Sequence, residues 1–466
     1  MKDLTLGKEQ NVILKFATPM LLGNLFQQTH SIVDSIIVGR FIGDEAQAAI
    51  GASFPLIFAL ISFTIGIASG GTIIISQYYG AKDYTNVRRA IDTIFIFLFF
   101  ASILISVIGI IFSRDIFTVT HLPSEVIPLA TTYLNTILMG TILFFGFNGI
   151  SSILRGIGDS KTPLYFLIIS SVLNIILDIL FIKVFGMGIR GAAIASVASQ
   201  GTTFIAATIY LNRNHKLVGI IINKLSFNYR IFLQCVRIGI PSGFQQTFVA
   251  FGMIALYSIV NLFDTDVIAA YSIAGRIDGL AMLPAMTFGQ ALSTFVGQNL
   301  GAGRTDRIKK GLIATLLMSL FLSVIVTTTV IFFRYGLMSI FTISTEVVKI
   351  GAGYLVIVSS AYIIFSIMFA LNGVMRGAGD TLIPMFITLF SLWIIRIPFA
   401  ATLSGRLYDI LINWGVDINL PEILTGRLGE TGIWLSVPIA WACGAICSFF
   451  YYLSGNWKKK GIIKQT

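Results

Sequence analysis

Charged side chains are scarce in this 466-residue chain: Asp, Glu, Lys and Arg together make up 11% of it, against 56% hydrophobic residues. So little charge does not suit a water-soluble protein, and the expected solvent is a bilayer. Cysteine is scarce too. Cys235, Cys443 and Cys447 are odd in number and fall in apolar stretches, which argues against a disulfide framework and leaves packing as their simplest role. There is no phosphate-binding loop, no metal-ligand spacing and no nucleophile with a positioned base, so neither an enzyme nor a cofactor is expected. Nor does the first apolar stretch read as a signal peptide. The first apolar stretch contains Pro19 and Asp34, lacks a small-residue cleavage site and is too long for a signal-peptide core, so it is expected to be retained.

What the chain does have is apolar runs long enough to cross a hydrocarbon core of about 30 Å as helices. Twelve are expected, near 12–38, 47–78, 90–112, 127–153, 162–183, 189–211, 231–262, 267–299, 309–333, 346–374, 382–404 and 431–454. The net charge of +11 could suggest nucleic acid, but most of the 32 Lys and Arg fall in alternate short loops and at the two ends. That placement is the positive-inside bias of a membrane protein, with both termini in the cytoplasm, and it excludes a nucleic-acid partner.

The halves repeat. The segment 76-SQYYGAKDYTNVRRA-90 resembles 297-GQNLGAGRTDRIKKG-311, placing Gln77 on Gln298 and Gly80 on Gly301, an offset of 221. Further on, 154-LRGIGDSKTP-163 matches 375-MRGAGDTLIP-384 at the same offset, with Arg155 on Arg376, Gly158 on Gly379 and Asp159 on Asp380. One register across two separated motifs implies duplication. The expected architecture is an all-α polytopic membrane protein: twelve transmembrane helices in two six-helix bundles, residues 1–222 and 223–466, related by a pseudo-two-fold axis along the membrane normal. Register is lost at 405–427, an insertion expected outside the cell. In the repeated loops, glycines would end helices, and Asp159 and Asp380 would cap the next helix or pair with the arginines.

An ionisable residue inside a span costs about 2.5–3.5 kcal/mol on insertion scales, which makes each one a functional candidate. On the first helix Gln27, His30 and Asp34 share a face; on the fifth, Asn174 and Asp178 do, with Asn148 and Ser196 on neighbouring spans. Two carboxylates among amide and hydroxyl oxygens could bind Na⁺, or could hold a proton because burial disfavours the charged form. Blander readings stand beside these. Asp34 could sit at the outer interface, Asp178 could pair with Lys183, and His30, Gln27, Asn148 and Ser196 could be packing or helix-bridging residues. In the second half Arg276 and Asp278 could satisfy each other, while Arg396 could attract an anionic group of a substrate or pair with Asp278. Pro19 removes a backbone hydrogen bond and permits a kink in the first helix.

With these residues in place, the chain resembles the multidrug and toxic compound extrusion (MATE) family over nearly its whole length. The resemblance rests on 19-PMLLGNLFQQTHSIVDSIIVGRFIG-43, the paired glycine loops, the paired RGIGD and RGAGD motifs, and 172-VLNIILD-178. It implies two six-helix bundles that alternate access in the cell membrane and export small cationic or amphiphilic organic molecules against H⁺ or Na⁺; nothing in the sequence requires a partner chain, and a functional monomer is expected. In the DinF-like branch it carries coupling roles onto Asp34, Asn174 and Asp178, with Gln27, Asn148 and Ser196 as further candidates and Pro19 as a hinge in the first helix. The NorM-like branch uses acids on the seventh and tenth spans. Here the seventh span has none and Glu346 only begins the tenth. A lipid or lipid-linked oligosaccharide flippase is the rival reading. Adding 221 to Asp34 and Asp178 gives Ala255 and Phe399, so the coupling chemistry is expected in the first half alone.

Overall fold

The computed structural model describes residues 3–119, 122–214, 218–219, 225–407 and 428–463, and among these it is helical, with no strand. The first half contains α1 (Glu9–Phe41), α2 (Asp44–Gly80), α3 (Tyr84–Val119), α4 (Ile127–Met139), α5 (Thr141–Gly156), α6 (Lys161–Asp178) and α7 (Gly188–Asn214). The second contains α8 (Tyr229–Val260), α9 (Thr265–Ala281), α10 (Leu283–Gly301), α11 (Thr305–Ser339), α12 (Thr345–Ser359), α13 (Tyr362–Gly377), α14 (Leu382–Leu389), α15 (Ile397–Leu403) and α16 (Glu430–Ser454). Two π-helical segments interrupt them, Ile179–Val184 after α6 and Phe390–Arg396 between α14 and α15. Among the described residues, eight helices are long and apolar enough to cross a bilayer, or up to ten when each of two bent pairs is one span. With α1 and α2, of 33 and 37 residues, the twelve expected spans are all helical. Most of the insertion expected at 405–427 lies outside the described residues.

The duplication reaches details finer than helix order. The fourth span of each half is broken, α4 from α5 by 50° and α12 from α13 by 46°. The breaks fall at Gly140 and Ala361, which are 221 residues apart. Away from water, a carbonyl freed by such a break needs another donor. The third span supplies it in both halves: Ser106 Oγ donates to the Leu138 carbonyl (2.6 Å), and Thr327 Oγ1 to that of Ser359 (2.7 Å).

Helix ends follow the same register. Gly158 and Gly379 adopt φ of 85° and 92°, ending α5 and α13 in the left-handed conformation. The amide of Asp159 then reaches back to the Leu154 carbonyl (2.8 Å) and that of Asp380 to Met375 (3.0 Å). Asp159 caps α6 by accepting from the Thr162 amide (3.1 Å) and hydroxyl (2.7 Å), whereas Asp380 accepts from the Tyr451 hydroxyl. At the end of α10 the left-handed position is Gly303 (φ 71°); at the end of α2 it is Lys82 (φ 59°).

The chain divides into two compact units: Met1–Thr247 with Gly297–Thr305 and Gly461–Thr466, and Phe248–Val296 with Asp306–Lys460. Within the first, α2 and the start of α8 approach through small residues. A Cβ on Gly66 would stand 2.2 Å from the Gly243 nitrogen, and one on Gly70 2.9 Å from that of Gly239. Each pair is spaced by four, the pattern that lets membrane helices meet backbone to backbone. The repeated glycine loops cross reciprocally in this unit. A Cβ on Gly80 would lie 1.9 Å from the Gln298 carbonyl oxygen, and one on Gly301 2.0 Å from that of Gln77. The termini are tied to this crossing. The Leu4 amide donates to Gln298 Oε1 (3.0 Å), Arg304 donates to the Thr5 carbonyl (2.8 Å), and the Ile462 amide donates to Gln77 Oε1 (2.8 Å).

The second unit has an aromatic core. Tyr271 stacks on Trp434 with ring centroids 5.5 Å apart, and Tyr354 meets the same indole edge-on at 4.9 Å.

Candidate functional site

In the first unit α6 packs against both α1 and α7, which brings the polar faces of α1 and α6 together. The carboxyl groups of Asp34 and Asp178 are in hydrogen-bonding contact. Asp178 is fully buried and Asp34 half-buried. Asn174, one turn before Asp178, organises the rest. With its amide turned to satisfy both ends, the nitrogen donates to Asp178 Oδ2 (3.0 Å) and to His30 Nε2 (3.2 Å), and the oxygen accepts from the Ser196 amide (3.2 Å). The Oδ1 atoms of both acids and Nδ1 of His30 are shut off from solvent with no donor or acceptor facing them.

Two carboxylates in contact cannot both carry charge in a site removed from water unless a cation lies between them. A proton on one of them, or a cation between their oxygens, would relieve that conflict. In this arrangement His30 accepts at Nε2, which requires the neutral tautomer with its proton on Nδ1. Protonating Nε2 would oppose the Asn174 nitrogen and turn the amide, presenting its oxygen to Asp178 instead. Histidine charge and the hydrogen bonding of Asp178 are thus linked through one amide.

Five of the residues expected from the sequence meet here: His30, Asp34, Asn174, Asp178 and Ser196. Others do not. The Asn148 amide donates to the Phe144 carbonyl of its own helix (2.9 Å), and Gln27 is exposed. Pro19 lies inside α1, which runs unbroken from Glu9 to Phe41. The alternative pairing of Asp178 with Lys183 is not made; the ammonium stands over the Phe41 ring, 5.5 Å from its centroid. Lys183 stands five residues after Asp178, beyond the three- and four-residue spacings at which side chains of one helix face each other, and Phe41 takes its ammonium instead.

In the second unit Arg276 and Asp278 do not satisfy each other. Two residues apart on a helix, they face different sides: Arg276 is exposed and Asp278 buried. Asp278 Oδ2 accepts from the Tyr354 hydroxyl (2.5 Å) and Oδ1 from that of Tyr362. Arg396 is near enough to act on Asp278 electrostatically, yet no ion pair joins them within 4.0 Å.

Sequence reasoning passed over Tyr133 and Tyr354. Tyr133, buried on α4, lies close enough to Asp34 and Asp178 to feel the charge of both. Tyr354 is its counterpart at the 221-residue offset, and each stands in the half-span before the break of the fourth span. The recurring Tyr-Leu pair, 133–134 and 354–355, was the available signal.

Comparison with known proteins agrees with this architecture. The sequence profile of the MatE family matches the chain twice, at residues 19–180 and 241–402. The probable multidrug resistance protein YoeA of Bacillus subtilis (strain 168) is 32% identical over 456 residues, covering 96% of this chain and 94% of that one. YpnP of the same organism, also named a probable multidrug resistance protein, is 32% identical over 456 residues, with 98% and 97% covered. Among solved structures, a MATE crystal structure in the straight conformation superposes with a TM-score of 0.87 at 22% identity, over 98% of each chain. One in the bent conformation gives 0.86 at 21%, again over 98% of each.

Proposed function

The chain belongs to the MatE family, whose members are membrane transporters and not enzymes, and we propose that it exports small organic molecules from the cell in exchange for H⁺ or Na⁺ taken up at Asp34 and Asp178. The names of its relatives support drug efflux as the direction of work. The observation that carries the coupling is the contact between the two acids, with Asn174 and His30 arranged around them. An ion binding there neutralises the pair and reorders the amide, which alters how tightly α1 is held to α6. A site that favours different helix arrangements when loaded and empty is what links ion flow to alternating access.

Gln27 on the exposed face of α1 is assigned to the substrate path, and Pro19 to bending of that helix. Both termini are cytoplasmic in this reading, and one chain is the working unit. Dye efflux from proteoliposomes under an imposed pH or Na⁺ gradient tests it. One gradient should drive efflux by the wild type, and neither should drive Asp34→Asn. Efflux in the variant equal to wild type ends the assignment.

A further inference from the structure

Arg396 closes the π segment well inside the eleventh span, between Leu382 and Leu403. Among the described residues it makes no hydrogen bond or ion pair within 4.0 Å, and its Nε is sealed from solvent without an acceptor. A guanidinium presents five donors in a planar fork, and within a span water is not at hand to meet them. The nearby carboxylate does not do so, since both Asp278 oxygens are taken by Tyr354 and Tyr362. Tyr271, also close enough to Arg396 to feel its charge, is packed by its ring between Tyr257, Tyr354 and Trp434 and makes no hydrogen bond to it. The second unit thus holds its acid in a closed network and leaves its cation open, and Arg396 is only partly buried.

We propose that Arg396 is an anion anchor for substrate: it receives the carboxylate or phosphate oxygens of an amphiphilic organic molecule, whose apolar body lies along the neighbouring aromatic side chains. A planar fork matches two such oxygens at once, a match an ammonium cannot make. This rests on reading the chain as an exporter of organic molecules, and it extends the substrates from cations to zwitterions and anions. Asp278 serves as a positioning residue, fixing the tyrosines so that they do not approach the arginine.

The test uses the purified full chain in neutral detergent and two dyes: a carboxy-rhodamine zwitterion and its methyl ester, which differ by one negative charge. Fluorescence anisotropy reads binding without transport. The wild type should prefer the carboxylate, and Arg396→Gln should lose that preference by about tenfold while holding the ester within about twofold, the size of a lost charge-assisted pair. Arg396→Lys, which keeps the charge, tests the fork and replaces the first variant if that one does not fold; it should lose part of the preference. Equal weakening of both dyes, or no preference in the wild type, overturns the proposal. Displacement of the carboxylate dye by phosphatidylglycerol in nanodiscs, with none by phosphatidylcholine, gives the site to a lipid headgroup and overturns the substrate assignment. Efflux of the ester from cells is measured separately. Its failure sinks export, while failure of the carboxylate preference alone sinks only the anchor.

Discussion

Asp34 on α1 and Asp178 on α6 touch through their carboxyl groups, although 144 positions separate them and neither has a counterpart in the second half. If the two act as one ion-binding unit, removing either should stop coupled efflux, and removing both should do no further harm. Asp34→Asn and Asp178→Asn are each expected to cut gradient-driven efflux by more than about tenfold, with the double variant equal to the worse single. Thermal unfolding should be unchanged or raised, since an amide relieves the repulsion of two acids. Additive losses across the three variants would show two independent sites.

Tyr133 and Tyr354 share a repeat position but not a bonding role. Tyr354→Phe leaves Asp278 Oδ2 without its donor and should destabilise the protein by about 1–3 kcal/mol. Tyr133→Phe removes a hydroxyl with no hydrogen bond among the described residues and should cost less than about 1 kcal/mol while altering the pH profile of efflux. Unfolding in detergent, followed by intrinsic fluorescence, ranks the two; the reverse order contradicts the assignment.

The glycine crossing predicts opposite outcomes for one substitution at different places. Gly80→Ala and Gly301→Ala drive a methyl into a backbone carbonyl and should each destabilise by about 1–3 kcal/mol. Gly353→Ala in α12 meets nothing within 4 Å and should be neutral or stabilising by up to about 1 kcal/mol. Matched melting curves for the three variants check the contrast.

Lys82 takes the left-handed conformation that its repeat counterpart Gly303 takes without strain. Lys82→Gly should therefore stabilise the protein by about 1 kcal/mol, and Gly303→Lys should destabilise it by a similar amount. A drop in melting temperature for Lys82→Gly would mean that the lysine side chain contributes more than its backbone strain.

Much of this was legible in the sequence, for identifiable reasons. Hydropathy located all twelve spans because in a bilayer the backbone must satisfy itself within a helix. Three- and four-residue spacings put His30 with Asp34 and Asn174 with Asp178 because side-chain direction along a helix is a local property. What failed was whatever depended on the neighbouring element. Lys183 looked like a partner for Asp178 by nearness in sequence, but its ammonium is taken by Phe41 on α1. Arg276 looked close to Asp278 by position, but tyrosines on α12 and α13, 76 and 84 residues away, took the acid. Asn148 carried the right chemistry and spent it on its own helix. The glycine loops were visible as a repeat, but one sequence strand cannot show that each glycine faces the other's glutamine carbonyl.

The ties at the termini have a consequence in time. Leu4 is held by Gln298, 294 residues later, and Ile462 by Gln77, 385 residues earlier. At about 5–20 residues per second, a nascent chain waits roughly 15–60 s before Leu4 meets its partner. The second clasp closes later still, once residue 462 has been made. Until then Gln77–Gly80 lacks the segments that cover it, so the order of synthesis sets the order in which this crossing is sealed. A chain cut short before Ile462 would leave Gln77 Oε1 without that donor.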